Sequence, residues 1–288
     1  MAFDAFVKDI VENGWNVHGV EVWQDGRLCD SWGDTQDGRY PIYSATKTVT
    51  AIAAGLAESD GRLQLDRCVL DYLPCDAVRA MGAEQAEAYG CITLHRLMTM
   101  SVAGYPFRPE GESWLGYSLA LPLQEPERPR FDYSNIPAYL VGVAVSCAVQ
   151  EPLGEYLARR LFEPLGIQEP PCMACPEGYF YGASGMELTV NELSRIGLLL
   201  AQGGVFDGRR ILPEDFVRRA TSVQQMNREG GYGYFVWRYR DGFSINGKWK
   251  QKCYVLPRRG QMVTYLSDIR DSSHDLKESM ERHIFGIG

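Results

Sequence analysis

A serine and a lysine stand three residues apart in the segment PIYSATKTVT, residues 41–50, where a helical pattern begins. On a helix, residues with this spacing share a face with Cβ atoms roughly 5–6 Å apart, so the Lys47 amine can reach the Ser44 hydroxyl. A serine in the first turn also lies near free N–H groups and the positive end of the helix dipole, which favour an oxyanion. The spacing therefore indicates a nucleophile with its base. An N-capping serine beside a surface lysine explains this segment, taken alone, equally well.

A second group of chemically useful residues lies in the segment FDYSNIPAYL, where Tyr133, Ser134 and Asn135 precede an apolar helical run. A tyrosine near two cations ionises more easily, because opposite charge favours the phenolate, and it can then act as a general base. Asn135 can hold the lysine and a substrate carbonyl by hydrogen bonds. The alternative is a turn before a helix with Asn135 as its cap, which is a very common role.

The third element expected of such a site is an edge strand whose backbone donates to the substrate oxygen. The segment FSINGKWKQKCYVLP offers this strand at Gly247 and Lys248, with Asn246 beside them. From periodicity alone, a simple Asn-Gly hairpin turn is the better explanation of the same residues.

The elements that must position these residues follow from the hydrophobic pattern. Residues 1–14 have the spacing of an amphipathic helix, and VHGVEVWQDGRLCDSWG predicts two strands joined at Asp25-Gly26. Residues 44–59 predict a helix of small and apolar residues that packs closely in a core. The segment LTVNELSRIGLLLAQGG begins with a capping box, Thr189-x-x-Glu192, and ends at two glycines.

After residue 231 the apolar period changes to two, in short segments divided by turn residues, and a last helix covers about residues 272–285. Strands at both ends of the sequence with helices between them predict an α/β (α+β) fold, in which an antiparallel sheet from both termini is flanked by helices. A mostly helical region is inserted into it. We place the candidate site at the interface of the two regions, which have these boundaries: residues 1–65 and 232–288 for the sheet region, and 66–231 for the helical region.

Composition excludes several classes of partner. The 288 residues are 45% hydrophobic and carry a formal net charge of -8 without a basic stripe, which argues against nucleic acid and anionic membrane surfaces. The first residues carry Asp4, Lys8, Asp9 and Glu12 among apolar ones and lack the features of a secretory signal. No uncharged apolar run is long enough to span a membrane. We therefore expect a cytoplasmic protein.

The cysteines do not predict a metal site or a disulfide framework. Eight are scattered along the chain, and in a cytoplasmic protein they should be reduced thiols. Cys172 and Cys175 form one C-x-x-C, but a zinc site needs two more ligands at short spacing and none follow. We expect no metal and no cofactor.

Taken together, in order and context, the three elements resemble the motifs of the serine β-lactamase and D,D-peptidase superfamily, particularly its class C and esterase-like branch. Further segments are similar to landmarks of that family: YSATKTVTAIAAGLAESDGRLQLDRCVLDYLP, ITLHRLMTMSVAGY, LARRLFEPLGI, YGASGMELTVNELSRIGLLLAQGGVFDGRRIL and YGYFVW. The resemblance covers nearly the whole chain and implies a β-lactamase/transpeptidase-like fold.

The resemblance also implies a role for each motif residue. Ser44 would be the acylated nucleophile, and Lys47 would help to deprotonate it. Tyr133 would be the general base in acylation and the proton donor to the leaving group, and Asn135 would position the substrate. The backbone N–H groups of Ser44 and Lys248 would form the oxyanion hole.

The sequence departs from the family at the third motif, where Ile245, Asn246 and Gly247 stand in place of K-T-G or H-x-G. The cationic or imidazole side chain that usually anchors a substrate carboxylate is therefore missing. Lysines on an exposed edge strand commonly protect against aggregation, and we favour that role here. The other possibility is that the missing anchor is replaced by Lys248, Lys250 or Lys252.

The segment NGKWKQ also resembles a D-G-x-F-G-Q version of the motif found in some small serine hydrolases of the family, with Lys250 in place of a glycine. The sequence as a whole predicts a cytoplasmic serine hydrolase that cleaves a small-molecule ester or amide through a Ser44 acyl-enzyme, without a nucleic acid or membrane partner. The altered third motif permits an alternative, a catalytically silent β-lactamase-like protein that binds a small molecule or a partner. The four intact motif residues favour the enzyme, and the oligomeric state stays open.

Overall fold

A computed structural model describes residues 2–287 of the chain. In chain order its helices are α1 (Ala2–Glu12), α2 (Thr46–Ser59), α3 (Cys75–Arg79), α4 (Ala83–Tyr89), α5 (Leu94–Met98), α6 (Trp114–Leu119), α7 (Ile136–Val149), α8 (Leu153–Leu157), α9 (Val190–Ala201), α10 (Glu214–Thr221) and α11 (Asp275–Met280). Its strands are β1 (Val17–Gln24), β2 (Arg27–Gly33), β3 (Tyr40–Pro41), β4 (Glu187–Leu188), β5 (Val205–Phe206), β6 (Arg209–Arg210), β7 (Trp237–Tyr239), β8 (Gly242–Gly247), β9 (Gln251–Leu256) and β10 (Gln261–Ser267). Short helical turns extend α8 through Leu165 and α11 through Phe285.

Both ends of the chain contribute to one six-stranded sheet with the order β2-β1-β10-β9-β8-β7. Every neighbouring pair in it is antiparallel. The β1–β2 hairpin turns at Asp25 and Gly26, whose φ values of 51° and 75° are the left-handed pair that a tight two-residue turn requires. The predicted α/β fold, with an antiparallel sheet from both termini flanked by helices, is confirmed.

Each face of the sheet is covered by helices because side chains alternate between its faces. On one face α1 and α11 pack against a cluster that includes Val20, Tyr254 and Tyr265. On the other face α9 packs against β1, β9 and β10, although it lies inside the predicted helical region 66–231. The boundaries between the two regions stay a prediction, and residues 1 and 288 of the predicted sheet region lie outside the described range.

The helical region is built around α7, which is buried from Ile136 to Val145 and packs against α2. A helix that is apolar on all sides belongs in a core. As its small residues predict, α2 packs closely, and a Cβ on Gly55 would lie 2.4 Å from the Phe216 ring. No single described helix is both long and apolar enough to cross a membrane; by length and composition alone, one pair bent by 79° would suffice, Ile136–Val149 with Leu153–Leu165.

The predicted capping box opens α9. The Thr189 hydroxyl accepts a hydrogen bond from the Glu192 N–H at 3.0 Å, and the Glu192 carboxylate accepts one from the Thr189 N–H at 2.9 Å. The same carboxylate pairs with Arg39 at 2.6 Å, so the cap also joins α9 to the segment before β3. These contacts fix the start of the helix that supports one face of the sheet.

Removing this cap should destabilise the fold. Thr189→Ala should lower the free energy of unfolding by about 1 kcal/mol, because an N–H group at the start of α9 loses its acceptor. Urea unfolding followed by circular dichroism measures the change. In the control Thr221→Ala, the lost hydroxyl bonds only the Val217 carbonyl of its own helix, so the change should stay within about 0.5 kcal/mol. Equal losses in both variants would contradict the capping argument.

Candidate active site

Ser44 lies just before α2, in a short 3₁₀ turn formed by Tyr43–Ala45. Its side chain caps neither that turn nor α2, so the alternative of an N-capping serine is wrong. Tyr43 has a φ of 47°, a left-handed conformation that side chains other than glycine seldom adopt. Such strain persists only where the surroundings hold it, and it is concentrated at functional sites. Here the Tyr43 ring packs edge-on against Trp249, with centroids 4.9 Å apart.

Lys47 is a buried cation, not a surface lysine, since only 1% of it is exposed. Its ammonium group donates to the Ser44 hydroxyl at 3.0 Å, to the Asn135 side-chain oxygen at 2.6 Å and to the Ala183 carbonyl at 2.9 Å. These three acceptors use all three N–H groups of the ammonium, yet none of them carries a charge. Burial lowers the pKa of Lys47 from 10.5 to about 7. A large fraction of the amine is therefore neutral at physiological pH and can accept the Ser44 proton.

Tyr133 lies against the same lysine, with the Lys47 nitrogen 5.0 Å from the centroid of its ring. The ring also packs on Trp237, with centroids 5.5 Å apart. Burial raises the pKa of Tyr133 to about 12, although a hydrogen bond with Ser44 acts in the opposite direction. Although Lys47 lies beside the ring, the raised pKa does not favour the phenolate on which the sequence-based argument relied, and the general-base role of Tyr133 stays a prediction. Tyr133 stays a neutral phenol at physiological pH, which suits it to donate a proton.

Asn135 stands at the N-cap position of α7, but its side chain makes no capping bond. The capping alternative is therefore wrong. The side-chain oxygen accepts from Lys47, and the amide nitrogen donates to the Tyr181 hydroxyl at 2.9 Å. The Tyr181 ring is held in turn by Trp114, with centroids 5.0 Å apart. This chain of contacts fixes which way the amide faces.

Two contributors to the site were not predicted from the sequence, the Tyr181 hydroxyl and the Ala183 carbonyl. Both come from the segment YGASGM, which the sequence analysis noted as a family landmark but gave no role. Any residue type supplies a backbone carbonyl, so the role of Ala183 cannot be predicted from its identity. Tyr181 is one of 16 tyrosines, and its residue type alone does not single it out. The one sequence signal that pointed to them was the resemblance of the whole segment to a landmark of the family.

The third motif ends β8 and touches the backbone just before the nucleophile. A Cβ on Gly247 would lie 2.1 Å from the Ile42 carbonyl oxygen, so a side chain here would push the strand away from Ser44. Asn246 and Gly247 both pair with β9, and the chain turns only at Lys248–Lys250. The alternative of a simple Asn-Gly hairpin turn is therefore wrong. The strand end lies against the backbone just before Ser44, and the oxyanion-hole role of the Lys248 N–H stays a prediction.

The turn after β8 has an unusual backbone. Trp249 and Lys250 have φ values of 58° and 66°, which favour glycine. The second value agrees with the glycine of the related D-G-x-F-G-Q motif, which Lys250 replaces. Ser267 holds the turn by donating from its hydroxyl to the Trp249 carbonyl at 2.9 Å.

The structure also shows how possible metal ligands and the cysteine thiols are placed. Within residues 2–287, no group of three or more His, Cys, Asp or Glu side chains is placed to hold a metal ion. All eight cysteines are free thiols. Of the C-x-x-C pair, Cys172 is exposed and Cys175 is buried beside the Tyr139 hydroxyl.

Comparison with known proteins places this geometry in a family. The model of the family described as Beta-lactamase matches residues 4–283. The chain belongs to the beta-lactamase family. A search of curated proteins finds no match.

Solved structures of beta-lactamase-like proteins superpose well on the chain. A Bacillus anthracis protein, provisionally described as a 6-aminohexanoate-dimer hydrolase, has a TM-score of 0.79 at 17% identity. The match covers 97% of this chain and 80% of the Bacillus anthracis chain. A penicillin binding protein from Bacillus halodurans has a TM-score of 0.73 at 16% identity, over 96% and 99% of the two chains. A D-alanine carboxypeptidase from Burkholderia cenocepacia has a TM-score of 0.73 at 14% identity, over 99% of both chains. At these identities the likeness establishes the fold alone.

The low pKa of Lys47 predicts a specific dependence of stability on pH. The folded-state pKa of about 7 lies below the ordinary 10.5, so between these values the unfolded chain binds more protons and stability rises with pH. The contribution is about 1.4 kcal/mol per pH unit. Urea unfolding from pH 7.5 to 9 should show this slope as the difference between wild type and Lys47→Met. The exposed-lysine control Lys8→Met should show the same dependence of stability on pH as the wild type. If the stability of Lys47→Met changed with pH in parallel with that of the wild type, the low pKa of Lys47 would be refuted.

Proposed function

We propose that this member of the beta-lactamase family is a serine hydrolase that cleaves a small ester or amide through an acyl-enzyme on Ser44. One observation carries the proposal: the buried Lys47 amine lies 3.0 Å from the Ser44 hydroxyl, and burial lowers its pKa to about 7. A base of that pKa, at hydrogen-bond distance from a serine, is the arrangement that activates a hydroxyl nucleophile at neutral pH.

Acylation begins with the neutral amine. Lys47 accepts the Ser44 proton as the serine oxygen attacks the substrate carbonyl, and the backbone N–H groups of Ser44 and Lys248 stabilise the resulting oxyanion. Tyr133 donates its phenolic proton to the leaving alcohol or amine as the bond to that group breaks. The Lys47 ammonium then returns a proton to Tyr133, so both groups recover their starting states.

Deacylation uses the same groups in reverse. Lys47 accepts a proton, through Tyr133, from the water that attacks the acyl carbon. The ammonium then protonates the departing Ser44 oxygen as the acid is released. Asn135 keeps Lys47 in place throughout, because its side-chain oxygen is the closest of the three acceptors at 2.6 Å.

The alternative, a catalytically silent family member, is less well supported by the energetics of the site. Lowering the pKa of Lys47 from 10.5 to about 7 corresponds to roughly 5 kcal/mol at about 1.4 kcal/mol per pKa unit. A methionine would fill the same space without that cost. A buried lysine without a charged partner is typical of a catalytic base.

Two of the similar solved structures are described as a hydrolase and as a carboxypeptidase, which supports carbonyl hydrolysis as the reaction class. We also propose that the protein acts on a small molecule in the cytoplasm, not on nucleic acid or a membrane. Eight free thiols within the described residues suit a reducing compartment.

Ser44 should be the serine that reacts with an activated phosphonate probe. Wild-type protein should gain the mass of one phosphonyl group, because Ser44 is the serine paired with the low-pKa lysine. Intact-mass spectrometry measures the adduct. Ser44→Ala should gain none, whereas the control Ser113→Ala, which removes an exposed serine at the start of α6, should label fully. Equal labelling of Ser44→Ala and wild type would overturn the assignment.

Lys47 and Tyr133 should act as a coupled pair in turnover. Lys47→Met and Tyr133→Phe should each lower kcat for 4-nitrophenyl acetate by at least ~10²-fold, the usual scale for a positioned acid or base. The double variant should lose little more than the worse single one, because each group works only through the proton of the other. If the double loss equalled the product of the two single losses, the proton relay would be wrong.

A further inference from the structure

The turn after β8, Lys248–Lys250, carries the candidate oxyanion-hole N–H, that of Lys248, and its backbone is strained. Trp249 and Lys250 are two consecutive residues with left-handed φ values, 58° and 66°. Residues that carry a side chain adopt such conformations only where their surroundings hold them. The contacts that hold this turn therefore also determine where the Lys248 N–H lies.

One buried side chain, that of Gln251, supplies most of these contacts. Gln251 is the first residue of β9 and is 2% exposed. Its amide nitrogen donates to the Lys248 carbonyl at 3.1 Å and, at a longer 3.3 Å, to the Trp249 carbonyl. The same nitrogen donates to the Ser267 carbonyl, and the amide oxygen accepts from the Ser267 N–H at 3.0 Å. The nitrogen thus faces three carbonyl oxygens and the oxygen faces one N–H group, so only one orientation of the amide satisfies them.

Ser267 of β10 completes the bonding of the turn. Its hydroxyl donates to the Trp249 carbonyl at 2.9 Å, with the Lys250 carbonyl also within reach at 3.2 Å, and only 1% of the residue is exposed. Two buried side chains therefore account for all three carbonyls of the turn. Of the two, it is Gln251 that reaches the Lys248 carbonyl.

The lysine side chains near the turn do not hold its carbonyls. The Lys248 ammonium lies 4.8 Å from the Trp249 ring centroid, and the Lys250 ammonium pairs with Asp271 at 3.0 Å. Lys252 lies on β9, inside the sheet between β8 and β10. Within the described residues, none of these three ammonium groups bonds a carbonyl of the turn, so that role belongs to the two buried side chains.

Gln251 also holds the residue before Lys248. Its backbone pairs with Gly247 across β8 and β9, and a Cβ on Gly247 would lie 2.9 Å from the Gln251 Cβ. The Lys248 carbonyl is bonded by the Gln251 side chain. The peptide group that carries the Lys248 N–H joins these two fixed points, so this N–H cannot turn far unless one of the contacts breaks.

We propose that Gln251 is a positioning residue, whose buried amide sets the direction of the Lys248 N–H and so the geometry of the oxyanion hole beside Ser44. The inference rests on the proposed function, since an oxyanion forms only if Ser44 attacks a carbonyl. Gln251 acts through the turn and contacts no reacting atom. A donor to the oxyanion stabilises the transition state and not the bound substrate, so loss of the amide should lower kcat without weakening substrate binding.

Gln251→Met tests this role, because methionine fills a similar volume without an N–H donor. Its kcat for 4-nitrophenyl acetate should fall by about ten- to a hundredfold, less than the roughly 10²–10³-fold loss of an oxyanion-hole donor removed outright. KM should change by less than about threefold, because acylation and deacylation both pass through an oxyanion and slow together. Steady-state kinetics measures both constants.

A transition-state analogue gives a second readout of the oxyanion hole. Phenylboronic acid binds when the Ser44 oxygen bonds to boron and the serine proton passes to Lys47, and the tetrahedral boron then carries an oxygen where the substrate oxyanion would lie. Its inhibition constant should rise in Gln251→Met by about the same factor as kcat falls. A merely structural role for Gln251 would not link the two quantities.

Two variants provide controls for loss of stability. Asn191→Leu removes another buried amide, which donates from α9 to the Glu21 carboxylate at 3.0 Å, and it should lose stability in urea but keep kcat. Gln251→Asn keeps the amide and shortens its reach by one methylene group. The Lys248 N–H should then be misplaced, and kcat should still fall by about tenfold with KM unchanged. This variant decides the test if circular dichroism shows that Gln251→Met does not fold.

The outcomes separate this inference from the proposed function. A loss confined to KM, an unchanged inhibition constant, or equal losses of kcat in Gln251→Met and Asn191→Leu would overturn the inference. If the wild type hydrolyses the ester and the Gln251 variants match it, the positioning role fails and the proposed function stands. If the wild type neither hydrolyses the ester nor gains a phosphonyl group, the proposed function fails and the inference fails with it.

Discussion

The arrangement of the site depends on one requirement, that the buried ammonium of Lys47 find an acceptor for each of its N–H groups. The acceptors come from three separate parts of the chain: the turn before α2, the start of α7 and the loop after α8. A buried cation without these bonds would cost several kcal/mol. The requirement therefore holds α2, α7 and the segment around Ala183 in one relative position, and the neutrality of all three acceptors keeps the amine reactive.

The edge of β8 meets this helical framework at close range, and the close approach has a local cost. Gly247 lies so near the Ile42 carbonyl that no side chain fits. Tyr43 and Trp249, which pack on one another, both adopt left-handed backbone conformations. The strain lies on the two segments that carry Ser44 and the candidate oxyanion-hole backbone. Contacts on both sides, the close approach of Gly247 to Ile42 and the packing of Tyr43 on Trp249, hold these two segments together.

Much of the fold and the four motif residues could be predicted, because their signals are local. A few neighbouring residues determine the turn at Asp25-Gly26 and the capping box of α9, and Ser44 and Lys47 lie one helical turn apart. What failed depends on distant contacts. The capping alternative for Asn135 could not be rejected without Lys47 and Tyr181, and the high pKa of Tyr133 follows from burial by distant residues. The three lysines after Gly247 are alike in sequence, and only their tertiary partners distinguish them.

The position of β10 has a consequence for how the chain folds during synthesis. β10 lies between β1 and β9 and pairs Val17 with Ser267. The β1–β2 hairpin is translated well before β10 (Gln261–Ser267), so one edge of β1 has no partner until that distant strand has been made. Contacts between residues so distant in sequence form slowly, and an unpaired strand edge invites association with other chains. Until β10 is made, the unpaired edge of β1 is therefore a place where other chains could associate.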